Sequence, residues 1–505
     1  MYEMNTNHNH NISPEQHSIP GVLHYDRQVR KIGKKTVYEC IPDDRSLPSA
    51  DISVNDKAAF GKVVPNQYVL FDYIKPIKDQ CTDKVPAMLK ETIGPVTELE
   101  NFYDYRIFCK DLFCSKRKFA ARVVNQLKKS EFVPVGENRL NREVITIDSS
   151  ETQDYDDAIG FHNGVVSIYI SNVPDFMEKH DLWDQMRKSP VSTIYLPGKK
   201  RSMLPTVLSD NVLSLVEGKN RNVFCMDIDF NNDMKISFCN ATICVTKNHQ
   251  YESPLLRSNE TYQNIFLAIQ TLIGRYKYIK EVTNSLQVIE YLMIFMNHQS
   301  GLILHNKQMG IFRSLEMTIP IKESEQISTE IDPDQPAPNP ILTMWKNANS
   351  SYTKATEDGS KHSILQLTNY VHITSPIRRL VDLLNMMVLQ HTCTMNTYGD
   401  NALNCYGFWL EHIDKINKDT KSIKKVQNEC FALHHCANSL EREFSACVLE
   451  NLNNGMYIVF IENMKYIGKV YVEEDLQGGE YINVRLYVMC NESSFARKIR
   501  LERII

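Results

Sequence analysis

The chain has 505 residues, with 57 Lys and Arg against 61 Asp and Glu for a net charge of −4, and is 42% apolar and 23% charged. This length calls for about three to four folded units, the composition predicts that most of it folds, and the charge balance excludes a globally basic nucleic-acid binder while leaving room for a local basic groove. The 13 cysteines form an odd, scattered set without a CxxC pair, which points to reduced thiols in an intracellular, cytoplasmic protein.

In chain order, residues 1–18 (MYEMNTNHNHNISPEQHS) are polar, lack the apolar centre of a signal peptide and read as a disordered tail. From Thr36 to Pro76, short alternating runs (TVYECI, ADISV, QYVLFDYI) are separated by Pro42-Asp43-Asp44 and Pro65-Asn66. That pattern predicts small antiparallel β structure, a barrel or part of one. Residues 97–129 predict helix and carry basic residues from Lys110 to Lys129, either a solvated face or an RNA-facing stripe. Strand patterns follow at EVITID, VVSIYIS, VFCMDIDF and MKISFCNATICV, then helical patterns over 262–282 and 286–304. The segment IDPDQPAPNPI (331–341) predicts a mobile loop, with four prolines in eleven residues. Helical patterning returns over 376–391 and 402–450, and the last fifty residues revert to strands (MYIVFI, YIGKVYV, YINVRLYV, KIRLERI). No run approaches about 18 apolar residues, so neither a spanning helix nor a membrane partner is expected.

Three segments carry chemistry. ITIDSSETQDYDDA places Asp148, Asp154, Asp156 and Asp157 within ten residues, the first ending an apolar strand and the other three on a polar loop. Carboxylates this close repel unless a cation or several donors compensate, and hard divalent cations such as Mg²⁺ favour such ligands. On spacing alone a metal site and a solvated acidic turn both stay open. In HITSPIRRLVDLL, Thr374 or Ser375 can cap a helix with Pro376 at its first position. Arg378 and Arg379 would then sit in the first turn, where a helix N-terminus and arginines together suit a phosphate. Asp382 could instead neutralise either arginine, and both readings can hold, one arginine each. In TIYLPGKKRSMLPTVLSDNVLSL, Tyr195 lies beside Lys199, Lys200 and Arg201, a combination able to stack a base and grip a phosphate, although a Tyr packed in a core or loop is the commoner case.

Together and in this order, ITIDSSETQDYDDA, YLPGKKRSMLPTVLSDNVLSL and HITSPIRR resemble the RNB catalytic domain of the RNase II/RNase R exoribonucleases, the family that includes the eukaryotic exosome exonuclease. The resemblance implies an α+β fold, an RNB catalytic domain over 141–450. It would be flanked by a β-rich, OB- or cold-shock-like region with helices at 19–140 and a truncated OB-like module at 451–505. It implies 3′→5′ hydrolysis of single-stranded RNA to nucleoside 5′-monophosphates, with Mg²⁺ or Mn²⁺ as cofactor. Asp148, Asp154 and Asp157 would be metal ligands, Asp156 and Arg378 catalytic, and Tyr195, Tyr251, Arg379 and Glu441 RNA contacts. Two ions about 4 Å apart could activate a water and stabilise the leaving 3′ oxygen.

Departures from the family pattern are Asn172 in place of Asp, Leu380 in place of Tyr, and Met386-Met387 in place of His-Arg. They support a second expectation, a catalytically silent RNB protein that binds RNA or serves in an assembly. A DNA-directed nuclease is the weaker third reading, since in this family the 2′-hydroxyl helps select RNA. Structured RNA would need the β modules, or a helicase or degradation-complex partner, to open it.

Overall fold

The computed structural model describes residues 18–504 except 56–63, 75–83, 130, 252, 280, 315–350, 357–360, 363–366 and 439–441. The polar tail (1–17), the Pro-rich segment 331–341 and Glu441 therefore lie outside the described residues.

Five strands, β1 (Ile19–Ile32), β2 (Lys35–Pro42), β3 (Ala50–Asn55), β4 (Gln67–Tyr73) and β5 (Val85–Pro95), form a closed barrel in the order β1-β2-β3-β5-β4. Alternation directs Leu23, Cys40, Ile52, Val69 and Phe71 inward. Closure is tight at Gly21, where a Cβ would stand 2.8 Å from the Ile41 carbonyl oxygen. The predicted β region is thus complete only with β1 and β5. The second half of β1 is exposed and carries no apolar alternation, so its sequence does not announce a strand.

The helical stretch expected over 97–129 is two helices, α1 (Leu99–Cys109) and α2 (Arg117–Leu127). The break follows from a left-handed Asp111 (φ 55°), after which Leu112 N–H donates back to Ile107 O. Arg122 of the basic run pairs with Asp184 at 2.8 Å, so that position serves packing between elements.

The central unit is a seven-stranded sheet. Its chain order is β6 (Glu137–Asn138), β7 (Val144–Asp148), β8 (Asp157–His162), β9 (Val165–Ser171), α3 (Val173–Lys179), α4 (Trp183–Met186), the hairpin β10 (Ile194–Leu196) and β11 (Lys199–Arg201), then β12 (Asn220–Asp229), β13 (Lys235–Cys244) and β14 (Lys247–Gln250). The sheet order is β14-β7-β8-β9-β12-β13-β6. Helices α5 (Pro254–Arg257), α6 (Glu260–Arg275) and α7 (Ser285–Asn306) follow, with short pairs β15 (Ile311–Ser314)/β16 (Ser351–Lys354) and β17 (Lys361–His362)/β18 (Leu367–Thr368). Helix α8 (Leu380–Thr392) is buried along nearly its whole length, and α9 (Asp400–Glu411) and α10 (Ile413–Asn438) lead out of the core. A helix apolar on every side must be central, and α8 packs on both α3 and α7.

Two expectations change here. Helix was expected from 376, but Pro376–Arg378 is a turn and α8 begins at Leu380. Arg379 is extended (φ −131°, ψ 124°) because it bridges to Ser192, and Leu380 N–H donates to Val191 O at 3.0 Å. Neither Thr374 nor Ser375 caps the helix. Helix was also expected to run to 450, but it ends at Asn438, and Glu443–Asn451 is β19. With β20 (Met456–Ile461), β21 (Tyr466–Tyr471), β22 (Tyr481–Cys490) and β23 (Arg497–Arg503), it forms a sheet ordered β21-β20-β19-β22-β23. Phe444, Ala446 and Val448 of β19 point into this module's core with the period of two of a strand, and pairing with both β20 and β22 makes it the central one. No helix among the described residues is long and apolar enough to cross a membrane.

Candidate active site

Asp148 is the last residue of β7 and Asp157 the first of β8, so two of the predicted carboxylates stand on neighbouring strands and two, Asp154 and Asp156, on the loop between them. Asp157 is thus a strand residue, where the loop was expected to carry it. The flanking apolar residues Val144, Ile145, Ala158 and Ile159 are fully buried and fix these strand ends rigidly.

Asp156 is buried and doubly held. Its Oδ1 accepts from Ile377 N–H at 2.8 Å and its Oδ2 from Arg378 Nε at 3.0 Å. The turn Ser375–Arg379 presents both donors, and Ser375 Oγ accepts from Arg378 Nη2 at 2.9 Å. Burial pushes Asp156 up to about 7 against the opposing pull of Arg378 and the Ile377 amide. Arg378 is itself pushed up: burial opposes its charge, but the attraction of Asp156 prevails. Its side chain remains 40% exposed against 2% for Asp156, so the guanidinium faces the site's opening.

Asp148 and Asp157 titrate as a pair. Burial raises each to about 7; a Thr146 hydrogen bond and Arg378 hold Asp148 back, while Asp156 and Asp154 push it further. Asp157 is raised further by Asp148 and restrained by Arg378 and Arg379. Asp148 Oδ2 is buried without a hydrogen-bond partner. A buried, orphaned carboxylate oxygen beside a second carboxylate is the electrostatic signature of a cation's place.

Asp154 is committed elsewhere. Its Oδ2 accepts from Tyr195 Oη at 3.0 Å and its Oδ1 from Lys200 Nζ at 3.1 Å. The β10/β11 hairpin explains this, because Tyr195 and Lys200 are directly paired residues on one face. Lys199 and Arg201, one step away on β11, turn to Asp104. Lys200 also pairs at 2.8 Å with Asp210, which rides on a single π-helical turn, Leu208–Val212. Burial, with Arg378 opposing, raises the Tyr195 hydroxyl, so it stays a donor. In this arrangement no three of the carboxylates bring an oxygen each within 4.8 Å of one another, and Lys200 and Arg378 each hold one of them, Asp154 and Asp156.

Tyr251 lies at the end of the same strands. Its N–H donates to Asp148 O at 2.9 Å, and burial, then Asp157 and Asp148, push its hydroxyl up to about 12. Arg379 pairs with fully buried Asp382 at 2.8 Å, while Asp382 Oδ1 also accepts from Ser375 N–H at 2.8 Å. One arginine therefore faces the site and the other braces the turn.

The structure thus gathers Asp148, Asp154, Asp156, Asp157, Arg378, Tyr195 and Tyr251 at one end of the sheet. Sequence reasoning gave Asp210 no role in the site and offered Lys200 only as one of three cations able to grip a phosphate, not as the partner of Asp154. The KKR cluster was visible, but which lysine turns inward depends on the hairpin register. The departures from the family pattern fall in the interior. Leu380, Met386 and Met387 are fully buried, and Asn172 donates to Asn240 at 3.1 Å and accepts from Gln390 at 3.0 Å in an amide network.

A mixed sheet whose strand ends collect four aspartates and an arginine, flanked by five-stranded β modules, defines an α+β RNB fold with OB-like modules. The RNB domain family's sequence pattern matches residues 138–264 and 258–395, just over half of the chain. The chain belongs to the RNB domain family. Ribonuclease R of Helicobacter pylori is 23% identical over 460 residues, covering 76% of this chain and 66% of that protein. Ribonuclease R of Chlamydia pneumoniae is 24% identical over 306 residues, covering 47% of this chain and 45% of that protein. The matches therefore span about half to two thirds of these relatives. Among solved structures, the apo form of Mycoplasma genitalium RNase R superposes with a TM-score of 0.69 at 16% identity, over 96% of this chain and 90% of that one. Yeast Ssd1, a pseudonuclease, superposes at 0.58 and 14% identity, over 91% and 65%. At these identities the likeness concerns the fold.

Proposed function

We propose that the chain is a divalent-cation-dependent exoribonuclease that shortens single-stranded RNA from its 3′ end and releases nucleoside 5′-monophosphates. The observation that carries this reading is the strand-end pair Asp148 and Asp157, both raised to about 7 and one with an orphaned buried oxygen, next to buried Asp156 and its partly exposed partner Arg378. Oxygen donors of this kind suit Mg²⁺ or Mn²⁺. Asp148 and Asp157 would hold one ion and Asp154 would support a second, supplying an activated water and stabilisation of the leaving 3′ oxygen. Asp154 can join this set without stranding a charge, because Lys200 keeps Asp210 as a partner.

Asp156, fixed by Ile377 N–H and Arg378, orients the attacking water or the terminal sugar. Two nitrogens of Arg378 are committed to Asp156 and Ser375, and the third is available to a phosphate oxygen on which charge builds. Tyr195 and Tyr251, both partly buried, would stack bases, with Arg379 and Glu441 as further RNA contacts. Support for RNA as ligand comes from Mycoplasma genitalium RNase R, whose structure is known in complex with ribose-methylated single-stranded RNA.

A time course on 5′-labelled poly(A) with Mg²⁺ tests the proposal. The expected result is a ladder shrinking from the 3′ end. A catalytically silent RNA-binding subunit is the second reading, favoured by the likeness to the Ssd1 pseudonuclease and by Asn172, Leu380, Met386 and Met387. It predicts a gel shift with no cleavage in either Mg²⁺ or Mn²⁺.

A further inference from the structure

Outside this site, β12 and β13 set Cys225 and Cys239 directly opposite each other. They belong to a separate small cluster with Val144, Ala158, Tyr169, Val223 and Ala241. Directly opposed residues on antiparallel strands have Cα atoms about 4.5–5.5 Å apart, within the span a disulfide accepts. The two sulfurs and the Asp227 carboxylate lie within 4.8 Å of one another.

Arg139 enters this group with a guanidinium only 3% exposed. Its Nη1 donates to Cys225 Sγ at 3.0 Å and Asp227 Oδ1 at 2.8 Å. Its Nη2 donates to Cys239 Sγ at 3.2 Å, Asp227 Oδ2 at 2.6 Å and Glu137 Oε2 at 2.7 Å. The two sulfurs are unequal. Cys225 is fully buried, donates to Asp227 Oδ1 at 3.2 Å, and burial raises its thiol well up. Cys239 is half-buried near the sheet edge, beside the two-residue strand β6, and its contact with Cys225 together with the charge of Arg139 lowers its thiol against the opposing effect of burial. A thiolate-prone sulfur within reach of a protonated one is the arrangement of an attacking and a resolving cysteine. A soft metal ion would have to displace the Arg139 guanidinium and its seven polar contacts.

We propose that Cys225 and Cys239 are an oxidisable dithiol site, closed to a cross-strand disulfide by hydroperoxides and reopened by small thiols. The Cys239 thiolate attacks the peroxide, forming S–O and breaking O–O, and the departing alkoxide or hydroxide takes up a proton. The Cys225 sulfur then attacks the sulfenic sulfur, forming S–S and breaking S–O, and the hydroxyl leaves with the Cys225 proton as water. Two thiols lose two electrons in total and the peroxide gains them. Arg139 keeps Asp227 and Glu137 throughout, so its charge stays paired. The proposal does not depend on the nuclease reading.

The test treats the reduced full chain with one equivalent of hydrogen peroxide and maps cysteine peptides by mass spectrometry without reductant. The wild type should give one Cys225–Cys239 cross-link, reversed by dithiothreitol, while exposed Cys490 stays a free thiol. Cys225→Ser should accumulate a dimedone-trappable sulfenic acid on Cys239, and Cys239→Ser should give neither product. Oxidation of Cys239 no faster than of Cys490, or its over-oxidation in the wild type with Cys225 still free, would overturn the proposal. So would stoichiometric zinc retained by the reduced chain. The wild-type and Cys239→Ser results decide the matter even if Cys225→Ser folds poorly.

Discussion

Asp156 is the residue whose substitution should separate binding from chemistry. Asp156→Asn keeps an acceptor for Ile377 N–H but loses the charge facing Arg378. The expected outcome is near-normal RNA affinity by gel shift and cleavage reduced by at least about 10²–10³-fold; weakened binding with residual cleavage would remove the role assigned to it. Arg378→Lys keeps a cation but not the flat guanidinium that spans Asp156 and Ser375, so kcat should fall on the order of 10²-fold with little change in KM. The raised acids give a pH prediction of defined sign. In the cation-free protein, Asp148, Asp156 and Asp157 hold protons up to about pH 7, whereas unfolded aspartates release them near pH 4. The folded state binds more protons between those values, so stability falls as pH rises from about 4 to about 7 and then levels. A divalent cation replaces those protons. Mg²⁺ should therefore raise the melting temperature clearly at pH 8 and hardly at pH 5, and a rise of equal size at both would place the ion elsewhere. These aspartates and Arg378 were legible through the resemblance of three motifs in order, since the spacing of the carboxylates alone left a metal site and an acidic turn both open. Lys200 was not, because its inward direction depends on which residue it opposes across the hairpin.

At the scale of elements, the turn carrying Arg378 is placed by packing between helices. Gly301 of α7 lies against the chain entering that turn, where a Cβ would come within 1.8 Å of the Asn369 carbonyl oxygen. Gly301→Ala should push this segment away, destabilising the protein by about 1–3 kcal/mol and lowering activity together with stability, as measured by urea unfolding beside the nuclease assay. Helix α8 behind the turn was recognisable from its apolar run, but its start was misread. Ser-Pro is a strong local helix-start signal, and here the backbone bonds of Arg378 to Thr193 and of Leu380 to Val191, which flank the Arg379–Ser192 bridge, prevail over it. Strand β19 was hidden for a related reason. The helical pattern of α10 runs up to it, and the partners that make it a strand come later in the chain.

At the scale of the molecule, the two β modules meet each other as well as the central unit. His24 Nε2 hydrogen-bonds Ser493 O at 2.6 Å, Tyr68 Oη donates to Phe495 O at 2.9 Å, and Arg497 Nη2 donates to Val96 O at 3.0 Å. Tyr68→Phe should cost about 1 kcal/mol at this junction, seen as faster amide hydrogen exchange in Arg497–Arg503 with the sheet β7–β9 unaffected. RNA held by phosphate contacts across such an assembly should bind more weakly as salt rises; an affinity flat between 50 and 200 mM salt would argue against a threaded strand. This junction was not legible in the sequence, because single polar residues more than 400 positions apart leave no local pattern.

That separation sets a timetable for the nascent chain. His24 and Ser493 are 469 positions apart, and at about 5–20 residues per second a ribosome needs tens of seconds to pass from one to the other. The barrel can close early on its own short-range pairings, but its clasp to the far module must wait for nearly the last strand. During that interval α1 can already cover the Tyr68 ring, but the Tyr68 hydroxyl, His24 and the Val96 carbonyl lack their partners from the far module, and a chaperone or a competing chain would have its opportunity there.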